Sequence, residues 1–203
     1  MKSGKKALLL ALCAVLLVAA TVMGTMAYLT ATDKVENTFT IGNIAIKLDE
    51  APVDADGKKT EGNRVQANTY KLMPGHEYDK DPIVHVAANS EDSWIFVKVE
   101  NGIAAFEDSN STIADQISQN LWAPLSGVPG VYYKQYNKET TAVDLAVFEG
   151  FKIADDANNV TGWSNISATT TKVTVTAYAV QADGFANANA AWNATFGAQT
   201  SGN

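Results

Sequence analysis

The chain has 203 residues, and its 15 basic and 22 acidic side chains give a formal net charge of −7. This charge argues against nucleic acid as a partner, because proteins bind phosphates through basic patches. A composition of 46% hydrophobic and 18% charged residues excludes a wholly disordered or collagen-like chain. One cysteine and two histidines exclude a disulfide scaffold and a zinc site with four Cys/His ligands.

The N terminus has the pattern of a secretory signal peptide. Three lysines precede an apolar run over residues 7–23, and small side chains at Thr25 and Ala27 then fit a signal peptidase. We predict cleavage between Ala27 and Tyr28, which leaves residues 28–203 as a single secreted domain and takes the net charge from −7 to −10. The alternative is an uncleaved membrane anchor, since the apolar run is of borderline length for a bilayer.

The first segment after this site is predicted to form a strand. Residues 28–41 alternate between a mostly apolar face and a face of threonine and charged side chains, which is typical of a strand covered on one side. The apolar face includes Leu29, Ala31, Val35 and Phe39. Gly42 interrupts the alternation, which resumes with the opposite parity up to Leu48 and predicts a second strand.

The rest of the chain predicts further strands and two short helices. Residues 49–69 are acidic and poor in apolar side chains, so we predict a loop. We predict strands over residues 83–88, 94–99, 131–136, 143–148 and 172–181. The run at 94–99 is apolar on both faces, which indicates a strand buried on both sides.

Helical spacing occurs twice. Ile113, Ile117 and Leu121 recur at helical positions behind Asn110 and Ser111 as candidate caps. Phe185, Ala188, Trp192 and Phe196 give a second amphipathic helix that we expect to pack on the sheet. Together, these elements predict a mainly β fold, an antiparallel β-sandwich with one or two short helices.

Motifs for catalysis are missing from the sequence. His76-Glu77 lacks the second histidine of a zincin, and no nucleophile elbow or phosphate-binding glycine loop occurs. Asp54, Asp56 and Gly57 hint at a calcium loop but lack its full spacing, so we interpret them as part of a solvated acidic loop. We therefore predict no catalytic residue, no cofactor and no metal ligand. His76 is expected in a solvated turn and His85 as an ordinary strand residue.

Three segments of the chain carry motifs of a known kind. In the first, Ala27-Tyr28 is followed by the Thr/Asp/Lys stretch at 30–34 and by TFTIGNI at 38–44. The second is LMPG at 72–75, followed by Asn89 and the strand at 94–99, and the third is AYAVQADGF at 177–185 with Ala191-Trp192. Together these segments resemble the TasA/camelysin family of secreted Gram-positive proteins, which a SipW-type signal peptidase processes. Residues 100–170 show no such resemblance.

The resemblance implies a jelly-roll-like sandwich that is exported to the cell surface or biofilm matrix and assembles there into fibres. Assembly in this family is similar to donor-strand exchange, in which the N-terminal strand of one subunit completes the sheet of the next. Residues 28–41 would be that strand, with Tyr28, Leu29, Ala31, Val35 and Phe39 as its donor residues. The implied partners are further copies of the chain, other matrix proteins and the signal peptidase, with membrane contact only before cleavage.

Two other functions remain open from the sequence. Camelysin implies a surface metalloendopeptidase, although no catalytic position can be carried over to this chain. The third hypothesis is a surface adhesin that does not polymerise, because a sandwich fold hosts many functions.

Overall fold

The computed structural model describes residues 43–167 and 171–197. The described strands are β1 (Ile46–Asp49), β2 (Glu77–Asp79), β3 (Ile83–Val86), β4 (Ser93–Asn101), β5 (Ala123–Pro124), β6 (Val131–Tyr136), β7 (Val143–Ala146), β8 (Gly150–Lys152) and β9 (Val173–Gln181). Helix α1 spans Ile113–Gln119 and α2 spans Ala188–Thr195, and three short 3-10 helices lie at Ala104–Phe106, Ala157–Asn159 and Trp163–Asn165.

The strands form antiparallel sheets. One sheet has the order β1-β3-β7 and a second has the order β5-β6-β4-β9, while β2 and β8 form a separate pair. The predicted mainly β fold with antiparallel sheets and two short helices is therefore confirmed. The arrangement is consistent with a sandwich, and the jelly-roll order stays a prediction.

The main core lies between the two larger sheets. Val84 and Val86 of β3 and Ile95, Val97 and Val99 of β4 belong to the same buried cluster. Alternate residues of a strand point to opposite faces, so the odd-numbered side chains of β4 enter this core. The sheets are thus held together mainly by apolar burial, at about 25 cal/mol for each Å² removed from water.

A second core covers the other face of β4. Phe96 packs there with Val180 of β9 and with Ala188, Ala191 and Trp192 of α2. The ring centroids of Phe96 and Trp192 are 5.1 Å apart. The predictions that the central strand is buried on both sides and that the C-terminal helix packs on the sheet are both confirmed.

Some predicted bounds were wrong. The N-cap of α1 is Thr112 and not Asn110 or Ser111, because Thr112 and Asp115 form a capping box. The strand predicted at 143–148 ends at Ala146, and β2, β5 and β8 were not predicted. Gly150 is needed in β8, since an added Cβ would lie 2.5 Å from the carbonyl oxygen of Tyr78 on β2.

The segment predicted as a loop is largely irregular. Two isolated bridges, Glu50 with Val65 and Val53 with Lys59, fold it back onto the end of β1. Its turn is built by Asp54, whose Oδ1 accepts the backbone N–H groups of Asp56 and Lys58. These contacts bring several charged side chains of the loop against the sheet β1-β3-β7.

Candidate functional site: a groove between two sheet edges

Two sheet edges border the same groove. Among the described strands, β1 is at one edge of its sheet and β9 is at one edge of the other sheet. Both strands line a groove of about 1160 Å³. Edge strands carry backbone groups that their own sheet does not use, so each edge can accept a further strand.

The register of β9 shows which of its backbone groups face the groove. Gly102 N–H donates to Lys172 C=O just before β9, in the same register that pairs Lys98 with Thr176. In an antiparallel ladder every second pair of residues is hydrogen-bonded. The even-numbered residues of β9 therefore form hydrogen bonds with β4. The N–H and C=O groups of Val173, Val175 and Ala177 therefore point away from β4, and no described strand pairs with them.

Strand β1 has the same arrangement. Ala87 N–H donates to Ala45 C=O, so the odd-numbered residues of β1 bond β3. The backbone groups of Ile46 and Leu48 point outward, and within the described ranges they pair with no strand. Glu50, the next outward residue, exchanges two backbone hydrogen bonds with Val65, which closes that end of the edge.

The groove has a mixed lining of apolar and polar side chains. Ile46 and Leu48 of β1 and Val173, Val175 and Ala177 of β9 are partly buried against the main core. The groove is also lined by Leu72, Ile103, Phe151, Trp163 and Ile166. An extended segment lying here would bury apolar side chains while its backbone met the outward groups of β1 or of β9.

A cluster of charged groups holds the closed end of β1. The Asp49 carboxylate is only 2% exposed, and Arg64 Nε and Lys47 Nζ both donate to it. Arg64 Nη2 donates to the carbonyl oxygens of Asp49 and Asp81 at 3.1 and 2.8 Å, and Asp81 is also paired with Lys59. A buried carboxylate without partners would cost several kcal/mol, so these contacts are what allows Asp49 to be buried.

His85 extends this cluster across all three strands of its sheet. Its Nε2 lies 2.8 Å from Asp49 Oδ1 on β1, and its Nδ1 lies 2.6 Å from Asp144 Oδ1 on β7. Lys47, His85 and Asp144 are direct cross-strand neighbours in the register. A neutral imidazole has one N–H, so only the doubly protonated ring can donate to both carboxylates.

The pKa values of this cluster follow from its contacts. Burial alone would lower the pKa of His85, but the hydrogen bonds from its ring to Asp49 and Asp144 outweigh burial and raise the pKa above its ordinary value. Burial would raise the pKa of Asp49, but donors from Lys47, Arg64 and His85 hold it well below its ordinary range. Both shifts favour the charged forms.

The residues that the sequence assigns to export and assembly lie outside the described residues. They are Ala27 and Tyr28 at the predicted cleavage site and Leu29, Ala31, Val35 and Phe39 of the predicted donor strand. Their assignments stay predictions. Of the other residues considered, His76 is exposed in its turn, as expected, and Asp54 shapes the backbone of a tight turn.

Sequence reasoning missed the charge cluster because it lies in a segment that looks like an ordinary solvated loop. Only one signal was present: Arg64 is the single arginine of the chain and stands within a stretch rich in acids. A guanidinium forms several directed hydrogen bonds at once and suits buried ion pairs better than lysine. His85 gave no signal, since its role depends on the register of β1, β3 and β7.

Within residues 43–167 and 171–197, no three His, Cys, Asp or Glu side chains gather in a way that could hold a metal ion. No helix in these same ranges is long and apolar enough to cross a membrane. Comparisons of the chain with protein-family models, curated proteins and solved structures found no match.

Proposed function

We propose that the chain is a secreted, non-catalytic structural protein of the cell surface or biofilm matrix of a Gram-positive bacterium. It polymerises by accepting residues 28–41 of a neighbouring copy into the groove between β1 and β9. The observation that carries this proposal is that two sheet edges, each with apolar side chains, border one groove. The resemblance of the N-terminal segment to the TasA/camelysin family supports the same function.

The chemistry of the groove suits the donor segment. Leu29, Ala31, Val35 and Phe39 would face the apolar side chains of the groove, where burial of a Leu, Val or Phe side chain contributes about 1.5–3 kcal/mol. The threonine-rich face would remain in solvent. The backbone of the segment would bond the outward groups of β1 or β9, as in other cases of strand addition.

Signal peptide cleavage would control assembly. Before cleavage after Ala27, the donor segment is joined to the apolar run at residues 7–23, and after cleavage by a SipW-type peptidase its end is free. Copies of the chain, and other matrix proteins with a similar strand, are the proposed partners.

The first test compares residues 28–203 with the same protein lacking residues 28–36, by electron microscopy at equal concentration. We expect filaments from the first and none from the second. Monodisperse particles from both would overturn the proposal and favour an adhesin or, if proteolysis sensitive to a chelator were found, a peptidase.

A second variant tests the acceptor edge. Ala177→Pro removes an N–H that points away from β4, so it leaves the β4–β9 ladder intact while blocking an incoming strand. We expect this variant to keep its circular dichroism spectrum but to form no filaments and to bind no added peptide of residues 28–41. Filaments of ordinary yield from the folded variant would place the acceptor elsewhere.

A further inference from the structure

We propose that His85 is a pH-dependent clamp that ties β1, β3 and β7 together, so that the acceptor groove weakens when His85 loses a proton. The inference rests on the proposed function for its effect on assembly. It concerns the regulation of the same groove and uses residues that the donor-strand hypothesis does not itself involve.

The clamp depends on geometry. The sheet β1-β3-β7 consists of three strands of four residues each, so it has few ladder hydrogen bonds. The imidazolium of His85 adds charged hydrogen bonds to both outer strands at 2.6 and 2.8 Å. Such bonds are about twice as strong as neutral ones, so they form a substantial part of what holds β1 to its sheet.

Loss of one proton breaks this arrangement. The proton goes to solvent, and one ring nitrogen then presents a lone pair to a carboxylate oxygen, so one of the two contacts must open. Asp144 is 63% exposed and can turn into solvent, whereas Asp49 is 2% exposed and held by Arg64. The charge attraction between His85 and Asp49 is lost in either case, which leaves β1 less firmly held.

All the charged groups around His85 favour its protonation or are already paired. They come from β1, from the loop after it, from the segment just before β3 and from β7. They are Lys47, Asp49, Lys59, Arg64, Asp81 and Asp144. Asp49 and Asp81 share Arg64, while Lys47 and Lys59 each pair with one of them. Asp144 has no other salt bridge among the described residues, so His85 is its counter-ion.

The position of β1 connects the clamp to assembly. Ile46 and Leu48 line the groove from β1, and the predicted donor segment ends at residue 41, shortly before this strand. The clamp therefore stabilises both one wall of the acceptor groove and the base of the donor segment.

The sign of the pH effect follows from the raised pKa of His85. Its contribution to folding is fully present below the unfolded value near 6.5 and is lost as the pH rises through the higher folded value. We therefore expect the critical concentration for filament formation to rise several-fold as the pH increases from about 6 through the raised pKa of His85.

The test uses residues 28–203 as wild type and as His85→Gln, Asp144→Asn and Asp56→Asn. The pH step should vanish in His85→Gln and move to lower pH in Asp144→Asn, which removes one of the two carboxylates. Asp56→Asn removes the same charge from an exposed turn and should behave as wild type. A step that persists unchanged in both His85→Gln and Asp144→Asn would overturn the proposal.

A second readout does not require filaments. Below the assembly concentration, proton NMR should show one histidine titrating above its ordinary pKa, and the His76→Gln variant should identify this signal as His85. The midpoint of urea unfolding should fall over the same pH range in the wild type. If no filaments form at any pH, the proposed function fails while these measurements still decide the clamp; a His85 signal at or below its ordinary pKa would refute it.

Discussion

Leu121 occupies a backbone conformation that bulky residues rarely adopt. It follows α1 with a φ of 61° and is 82% exposed. The N–H of Leu121 bonds Ser118 C=O and that of Trp122 bonds Ile117 C=O, which is the Schellman pattern of a helix end. Glycine is preferred at this position because a Cβ costs about 1–2 kcal/mol in the left-handed region.

We therefore expect Leu121→Gly to stabilise the protein by up to about 1 kcal/mol, after the greater freedom of glycine in the unfolded chain is subtracted. Leu121→Ala keeps the Cβ and should change the free energy of unfolding by less than half as much. Urea unfolding of the three proteins measures both effects. A destabilised Leu121→Gly would show that the exposed leucine makes a favourable contact.

Arg64 is the residue whose removal should cost the most in the charge cluster. Arg64→Met leaves Asp49 and Asp81 with fewer donors in a buried setting, and we expect a loss of about 3 kcal/mol. The control is Lys98→Met, which breaks the exposed pair with Glu100 and should change the free energy of unfolding little. Equal losses in the two variants, measured by chemical denaturation, would contradict the importance of burial.

At the scale of elements, the predictable strands were those with a long and regular pattern. β4 and β9 have nine residues each and gave clear runs of apolar or alternating side chains. β2 and β8 have only three residues, too few for a period to be recognised. These two strands can pair because Gly150 allows the backbones of β2 and β8 to approach closely. The pairing joins residues far apart in the chain, so no local sequence pattern predicts it.

The candidate site was predictable only in part, for the same reason. The alternating patterns of β1 and β9 predict strands with one apolar face. That both strands line one groove depends on the order of strands in two sheets. His85 and Asp144 are far apart in the chain and are brought together by the β3–β7 register. A single sequence contains no signal for that register.

Helix α2 contributes to the fold mainly through Trp192. This side chain is 3% exposed and packs on Phe96 and Tyr178. We expect Trp192→Ala to cost about 3–5 kcal/mol, because it leaves a cavity between the helix and the sheet. Asn193→Ala, on the exposed face of the same helix, should change thermal stability little. A small loss for Trp192→Ala would mean that α2 is dispensable.

At the scale of the whole molecule, the question is where residues 28–36 pair. If they pair only with another copy, their deletion should change the free energy of unfolding of dilute monomer by about 0.5 kcal/mol or less. If they pair within their own chain, the deletion should remove several kcal/mol of apolar burial. Urea unfolding at a concentration that gives no filaments distinguishes the two cases, and a large loss would contradict assembly by strand exchange.

The predicted donor segment is joined to β1 by residues 42–45 alone, and this connection has a mechanical consequence. In a fibre joined by exchanged strands, tension would pass along the donor segment and enter each subunit at the start of β1. The backbone ladder to β3, the His85 contact to Asp49 and the bonds from Arg64 would then bear the load together. The force that such a fibre withstands would depend on the unfolding rate of its subunits. This force would fall in alkaline medium, without any change in the number of subunits.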